Sequence, residues 1–183
     1  MTDINADILA RLEAVEANLA IRSLIARYAF VMDDRDVDAI PSLFTQNAHV
    51  TTADGVMDSQ GRDELVKLYE GRFAALGATN HVVQGMDITV DGPTTAHGKI
   101  QSTAEVYRNG VHQVVALRYN DTYELEDGTW RIATRHMSYF YYVPLDKHAG
   151  ILGTLKRNLT YAEPMDADFP EKTPGFVKYM QTH

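Results

Sequence analysis

The chain has 183 residues, a formal net charge of −8 and no cysteine. This length favours one domain that buries enough surface to fold without disulfides, and the lack of cysteine excludes thiol nucleophiles and cysteine metal ligands. The acidic balance argues against a nucleic-acid partner, because phosphates attract a basic surface. No apolar run approaches the about 18 residues that span a membrane, and the N-terminus lacks the features of a signal peptide. We therefore expect a cytoplasmic protein with no membrane partner.

Helical periodicity dominates the first part of the chain. Apolar residues recur at spacings of four, three and four from Ile8, and the pattern continues to Met32. This spacing predicts a helix, or a kinked pair of helices, over about residues 6–32. A short helical piece is predicted within 37–44 and another long helix within 59–76.

Strand patterns dominate from residue 79 to residue 144. Four long runs rich in β-branched and aromatic residues are separated by three turns that contain glycine, at Asp91-Gly92-Pro93, Asn109-Gly110 and Asp127-Gly128. Such turns between long runs indicate an antiparallel meander.

The order of helices first and strands second predicts an α+β fold. We expect a cone-shaped α+β barrel, in which three N-terminal helices pack on a strongly curved antiparallel sheet and leave a pocket at the open end. This domain is predicted to span residues 1–145. Residues 146–183 are expected to form a C-terminal extension that packs on the domain or on a neighbouring subunit. A broad sheet face that the helices cannot cover predicts a homodimer or a homotrimer.

A few polar residues stand where such a pocket would lie. Asp33 and Asp34 end the long helix in "VMDDRD", His81 opens the first long strand in "TNHVV", and Arg135 and His136 lie in the last strand in "TRHMSYFYY". Strict alternation puts Arg135 and His136 on opposite faces, so only one of them faces the pocket unless a bulge intervenes. Both Asp33 and His81 also have a structural alternative. Asp33 would then only cap the end of the helix, and His81 would be a strand histidine whose hydrogen bonds are satisfied within the fold.

The chain resembles the SnoaL-like branch of the nuclear transport factor two-like superfamily over roughly residues 8–145. The motifs are most similar to those of its dehydratase and dehydrochlorinase members: bile-acid dehydratase, scytalone dehydratase and lindane dehydrochlorinase. Those enzymes carry an aspartate at the end of the long helix and a histidine after the third helix, which match Asp33 and His81. The resemblance further implies roles for Tyr28, five residues before the aspartate, and for Arg135, which follows the "DGTW" turn.

The chemistry of these residue types suits removal of a proton from carbon. A buried carboxylate that accepts the Nδ1–H of a histidine fixes the tautomer and leaves Nε2 as the base. A phenol such as Tyr28 can assist a departing hydroxyl, and a guanidinium such as Arg135 can stabilise developing negative charge. This set of groups requires neither a metal nor an organic cofactor.

The sequence therefore predicts a cofactor-independent lyase, of the dehydratase type, that acts on a small apolar cyclic or polycyclic substrate. A ketosteroid-isomerase-like isomerase or a polyketide cyclase is a near alternative. A non-catalytic ligand-binding module, or a scaffold like the small subunit of a dioxygenase, is the alternative from another class. An Asp33–His81 pair within hydrogen-bonding distance would favour the enzyme.

Overall fold

The helices and strands follow one another in the predicted order. The computed structural model describes residues 4–183. Its main elements are α1 (Ile4–Asp34), α2 (Ile40–Leu43), β1 (Phe44–Thr52), β2 (Asp58–Gln60), α3 (Arg62–Ala75), β3 (Leu76–Val90), β4 (Thr95–Arg108), β5 (Val111–Glu126), β6 (Thr129–Pro144) and α4 (Pro174–Thr182). The segment predicted as one helix or a kinked pair is a single helix, α1.

The six strands form one curved sheet in the order β2-β1-β6-β5-β4-β3. β3 to β6 pair antiparallel with their chain neighbours, as the meander predicts. β1 pairs antiparallel with β2 but parallel with β6. The predicted α+β cone with three N-terminal helices on a curved sheet is confirmed. The hydrophobic and turn patterns of the sequence did not predict the parallel pairing of β1 with β6.

Two of the three turns have the backbone that tight hairpins need. Asn109 and Gly110 have φ of 50° and 80°, and Asp127 and Gly128 have φ of 51° and 72°. Positive φ at both central residues defines the turn whose twist matches that of the strands it joins. These turns fix the register of β4 on β5 and of β5 on β6, which places the inward-facing side chains of the three strands.

The inner face of α1 supplies one wall of the core. Ile21, Leu24, Ile25 and Tyr28 are buried against the sheet. The apolar stripe that begins at Ile8 lies farther toward the N-terminus, where α1 is exposed: Ile8, Leu12, Val15 and Leu19 expose between 51% and 60% of their surface. Within residues 4–183, no helix is long and apolar enough to cross a membrane.

The C-terminal extension lies beside the second half of β6 in the same chain. The Tyr142 amide donates to the Arg157 carbonyl at 2.8 Å, and the Leu159 amide donates to the Tyr142 carbonyl at 2.8 Å. The Tyr139 amide donates to an Asp168 carboxylate oxygen at 2.7 Å. The extension therefore satisfies the backbone of β6 where β1 no longer runs beside it.

Candidate active site

The end of α1 is held in a fixed position. Arg35 has φ of 56°, and the Asp36 amide donates to the Val31 carbonyl at 3.1 Å. A left-handed residue followed by this long-range hydrogen bond is the Schellman ending of a helix. The left-handed region is costly for arginine, and the Arg35 guanidinium donates to the Gly77 carbonyl in β3. This contact fastens the end of α1, and with it Asp33, to the start of β3.

Asp33 receives three hydrogen bonds from β3. Its Oδ1 lies 2.6 Å from His81 Nδ1 and accepts from Thr79 Oγ1 at 2.8 Å, and its Oδ2 accepts from the His81 amide at 2.7 Å. Thr79 and His81 are two apart on the strand, so both side chains point to the concave face. Because a carboxylate only accepts hydrogen bonds, Nδ1 carries the proton, and Nε2 is left to act on a ligand.

The surroundings of Asp33 favour its charged form. Burial raises the pKa of this carboxyl group, but the hydrogen bonds from the His81 side chain and amide, the charge of His81 and the Thr79 hydroxyl together outweigh it, so the pKa lies below its ordinary value. The carboxylate is therefore ionised at neutral pH, as it must be to stabilise an imidazolium.

The lowered pKa of Asp33 predicts a pH-dependent contribution to stability. The folded pKa lies below the ordinary value of 3.8, so this contribution is complete above that value and is lost as the pH falls through the folded pKa. We expect Asp33→Asn to lower the free energy of unfolding more at about pH 7 than at about pH 2, as measured by urea unfolding. Asp34→Asn, on an exposed side chain, serves as the control. An equal loss at both pH values for Asp33→Asn would contradict the prediction.

His81 borders a cavity between α1, α3 and the concave face of the sheet. The wall is mainly apolar and aromatic, and includes Met32, Met57, Tyr69, Tyr119 and Tyr139. The cavity volume is about 80 Å³, which is less than the roughly 150 Å³ that holds benzene in an engineered protein cavity. Three of its wall residues are methionines, Met32, Met57 and Met137, whose flexible side chains adapt readily to a ligand.

Tyr28 lines the same cavity as His81. Its hydroxyl lies 3.1 Å from that of Tyr69 on α3. Its ring packs edge-on against the rings of Tyr69 and Tyr119. Burial raises the pKa of the Tyr69 phenol, so this group is a neutral hydrogen-bonding partner. The two hydroxyls bring a proton donor and acceptor into a cavity whose other walls are largely apolar.

Arg135 points inward but lies behind the cavity wall. A bulge at Ala133 shifts the register of β6, since Ile132 pairs with Tyr123 and Thr134 with Thr122. The shift puts Arg135 on the buried face together with Ile132, and His136 on the exposed face. The sequence left undecided whether Arg135 or His136 faces inward. The bulge is present, and it turns Arg135 inward and His136 outward.

The Arg135 guanidinium is paired with Asp121 on β5. Nε and Nη2 donate to the two carboxylate oxygens at 3.0 and 2.6 Å, and both side chains are fully buried. The guanidinium lies between two aromatic rings, 4.1 Å from the centroids of both Tyr28 and Tyr119. Burial lowers the pKa of Arg135, but the charge and hydrogen bonds of Asp121 more than offset this, so the pKa is raised. Arg135 supports the cavity wall and does not line the cavity, so any effect on a ligand acts through the rings or at a distance.

Three residues near the site were not among the sequence candidates. Tyr69 and Arg72 lie on the inner face of α3 and line the cavity, and their spacing of three is the signal that could have placed both on one helix face. Asp121 carries no local signal, because its partner Arg135 lies on another strand. The other histidine of the long strands near this end of the sheet, His112, is exposed at the start of β5 and does not line the cavity.

A curved sheet closed by helices around a cavity, with a carboxylate–histidine pair on its wall, defines an α+β cone protein with an internal cavity. The chain belongs to the SnoaL-like domain family of the nuclear transport factor two-like superfamily, since the family model matches residues 13–136. The resemblance inferred from the motifs is thereby confirmed.

Solved structures share this fold at low sequence identity. The hexachlorocyclohexane dehydrochlorinase LinA-type3 from Novosphingobium barchaimii has a TM-score of 0.69 at 17% identity, over 75% of this chain and 95% of that chain. A scytalone dehydratase-like protein from Novosphingobium aromaticivorans has a TM-score of 0.65 at 21% identity, over 71% and 91%. An NTF2-like protein with a cystatin-like fold from the same organism has a TM-score of 0.59 at 25% identity, over 81% and 94%. No curated protein sequence matches the chain.

Proposed function

We propose that this protein is a cofactor-independent lyase of the dehydratase type, with Asp33 and His81 as its acid–base pair. The observation that carries the proposal is the 2.6 Å contact between Asp33 Oδ1 and His81 Nδ1 on the wall of a mainly apolar cavity. The likeness to a dehydrochlorinase and to a scytalone dehydratase-like protein supports elimination as the class of reaction at the level of the fold.

The proposed reaction begins at His81. Nε2 takes a proton from a carbon next to an electron-withdrawing group, and the pair of electrons from the C–H bond forms the new double bond. The C–O bond to the neighbouring hydroxyl breaks, and that oxygen leaves as water with a proton from Tyr28 or from the imidazolium of His81. Asp33 remains ionised and balances the positive charge that forms on the imidazole.

Arg135 has a supporting role in this proposal. Its guanidinium holds the rings of Tyr28 and Tyr119 from behind. A buried positive charge one layer beneath the wall also stabilises negative charge that develops on a substrate oxygen in the cavity. The sequence predicted that Arg135 contacts the substrate directly. In this proposal, Arg135 acts on the substrate only indirectly, through the tyrosine rings and its charge.

The size of the cavity bears on the substrate. A volume of about 80 Å³ requires the flexible wall residues to move even for a substrate with a single ring, and a polycyclic substrate requires a larger movement. The direct test is a screen of hydroxylated cyclic ketones, small and large, for the absorbance of a newly conjugated double bond. Turnover that disappears in His81→Ala supports the proposal. Isomerised products without loss of water would assign the site to an isomerase, and binding without conversion would assign the chain to the ligand-binding modules.

We also propose that the chain acts as a homodimer or a homotrimer. The exposed apolar side chains on the N-terminal half of α1, among them Ile8, Leu12, Val15 and Leu19, leave surface that a second copy would bury. Sedimentation at micromolar concentration is expected to give a particle of two or three times 20.5 kDa. A particle with the mass of one chain would contradict this expectation.

A further inference from the structure

We infer that the cavity contains an anion subsite built on Arg72 and that the substrate therefore carries a carboxylate. The inference rests on the proposed function for the identity of the substrate, but the subsite itself is a binding property that can be measured without turnover.

Arg72 reaches the cavity because of its place on α3. Tyr69 is buried, and Arg72 and Phe73 follow it by three and four residues, so all three lie on one side of the helix. All three line the cavity that His81 borders. Arg72 is half-buried, so part of its side chain packs within the wall.

Arg72 lacks the partner that arginines in comparable positions have. Among residues 4–183, the other buried or half-buried arginines contact a carboxylate, a carbonyl or an aromatic ring, and Arg108 is the exception. The pairs are Arg22 with Met86, Arg35 with Gly77, Arg62 and Arg131 with Glu126, Arg118 with Phe169, Arg135 with Asp121, and Arg157 with Glu171. With the residues that the structure describes, 4–183, Arg72 makes no hydrogen bond or ion pair. The five donors of this guanidinium are therefore available to an anionic ligand.

The positive charge of Arg72 acts on three tyrosines: Tyr69 and Tyr139 of the cavity wall, and Tyr161 outside it. Burial and the nearby Asp54 raise the pKa of Tyr161 in the C-terminal extension to about 12, while the positive charges of Arg108 and Arg72 oppose this rise. Arg72 acts in the same sense on the buried phenols of Tyr69 and Tyr139. Arg72 and Arg108 thus both lie near enough to Tyr161 to act on its hydroxyl.

The nearby carboxylate of Asp54 is occupied by other donors. Its Oδ1 accepts from Thr52 Oγ1 at 2.6 Å and from the Val56 amide at 3.1 Å, and its Oδ2 accepts from the Tyr161 hydroxyl at 3.0 Å. Asp54 therefore does not neutralise Arg72 through a direct contact, and the guanidinium remains available to a ligand.

A carboxylate is the group that this arrangement fits best. The planar guanidinium binds a carboxylate through two parallel hydrogen bonds, and apolar walls strengthen such a contact. The chain carries a net charge of −8, so it repels anions in general, and binding of one depends on local cations such as these. A carboxylate held by Arg72 would fix the ring of the substrate in the cavity whose wall carries His81.

The test uses ligands that cannot react. Cyclohexanecarboxylate and benzoate are compared with their neutral amides, by calorimetry and by the shift of the His81 imidazole signals in NMR. We expect the carboxylates to bind about ten- to a hundredfold more tightly than the amides. Arg72→Gln should abolish this preference, and Arg72→Lys should retain part of it. Arg27→Gln removes an exposed arginine of α1 and should leave the preference unchanged.

Several outcomes would overturn the inference. These are equal binding of acids and amides, no binding of the acids, or a preference that survives Arg72→Gln. A preference that is lost in His81→Gln but kept in Arg72→Gln would assign the anion to the histidine instead. Melting temperatures of all variants establish that the fold is intact. Binding through Arg72 without any elimination would refute the proposed function and keep the subsite. Turnover together with equal binding of acids and amides would refute the subsite and keep the proposed function.

Discussion

Replacing His81 with alanine is expected to lower turnover by about 10²–10⁴-fold, the usual contribution of a general base. The side chain contacts Asp33 and borders the cavity, so the loss removes the proton acceptor without removing a large part of the core. Circular dichroism should show an intact fold. Turnover is measured with the first substrate that the screen identifies.

Asp33→Asn should cause nearly the same loss. An amide can stabilise the wrong tautomer of His81 and cannot balance the charge of an imidazolium. The variant with both changes should be little worse than either single variant, because residues that act as one unit do not contribute additively.

Asp34→Asn is the matched control for this pair. Asp34 is the next residue of α1, but its side chain is exposed, and its replacement should leave turnover near that of the wild type. Full activity of Asp33→Asn together with an inactive Asp34→Asn would show that the wrong aspartate was chosen. Full activity of both Asp33→Asn and His81→Ala would refute the acid–base pair and assign the reaction to other groups of the cavity.

Asp121→Asn is expected to destabilise the protein by about 3–5 kcal/mol, because it leaves a buried guanidinium without its counter-ion. Asp121 is the carboxylate that pairs with Arg135, and neither side chain reaches solvent. Arg135 Nη1 already lacks a hydrogen-bond partner, so the site has little capacity to compensate. Urea unfolding of the purified variants measures the effect.

Glu124→Gln is the control for this change, since Glu124 lies on the same strand with an exposed side chain. Its replacement should alter the free energy of unfolding by less than about 0.5 kcal/mol. Replacing both partners, with Asp121→Leu and Arg135→Met, should recover much of the stability, because a buried ion pair and a well-packed apolar pair are often similar in energy. A loss with Asp121→Asn as small as that of the control would contradict the assignment of a buried, desolvated pair.

The sequence was sufficient for those features that local chemistry controls. Helical spacing located α1 and α3, and glycine turns with positive φ at Asn109 and Asp127 separated the long strands. The same reasoning placed Asp33 at the end of a helix and His81 near the start of a strand. Their contact followed from the family resemblance and not from either segment alone.

Only the tertiary structure decided which distant residues meet. The parallel pairing of β1 with β6 joins segments about 85 residues apart, and turn chemistry does not report on such a contact. The bulge at Ala133 turns Arg135 inward, and the register of β5 on β6 then brings it to Asp121. In the same way, the packing of α3 over the concave face places Arg72 in the cavity with His81. Local periodicity shows which face of an element is apolar. The partner of a buried charge depends instead on the register between elements, because a shift of one residue moves a strand side chain to the opposite face of the sheet.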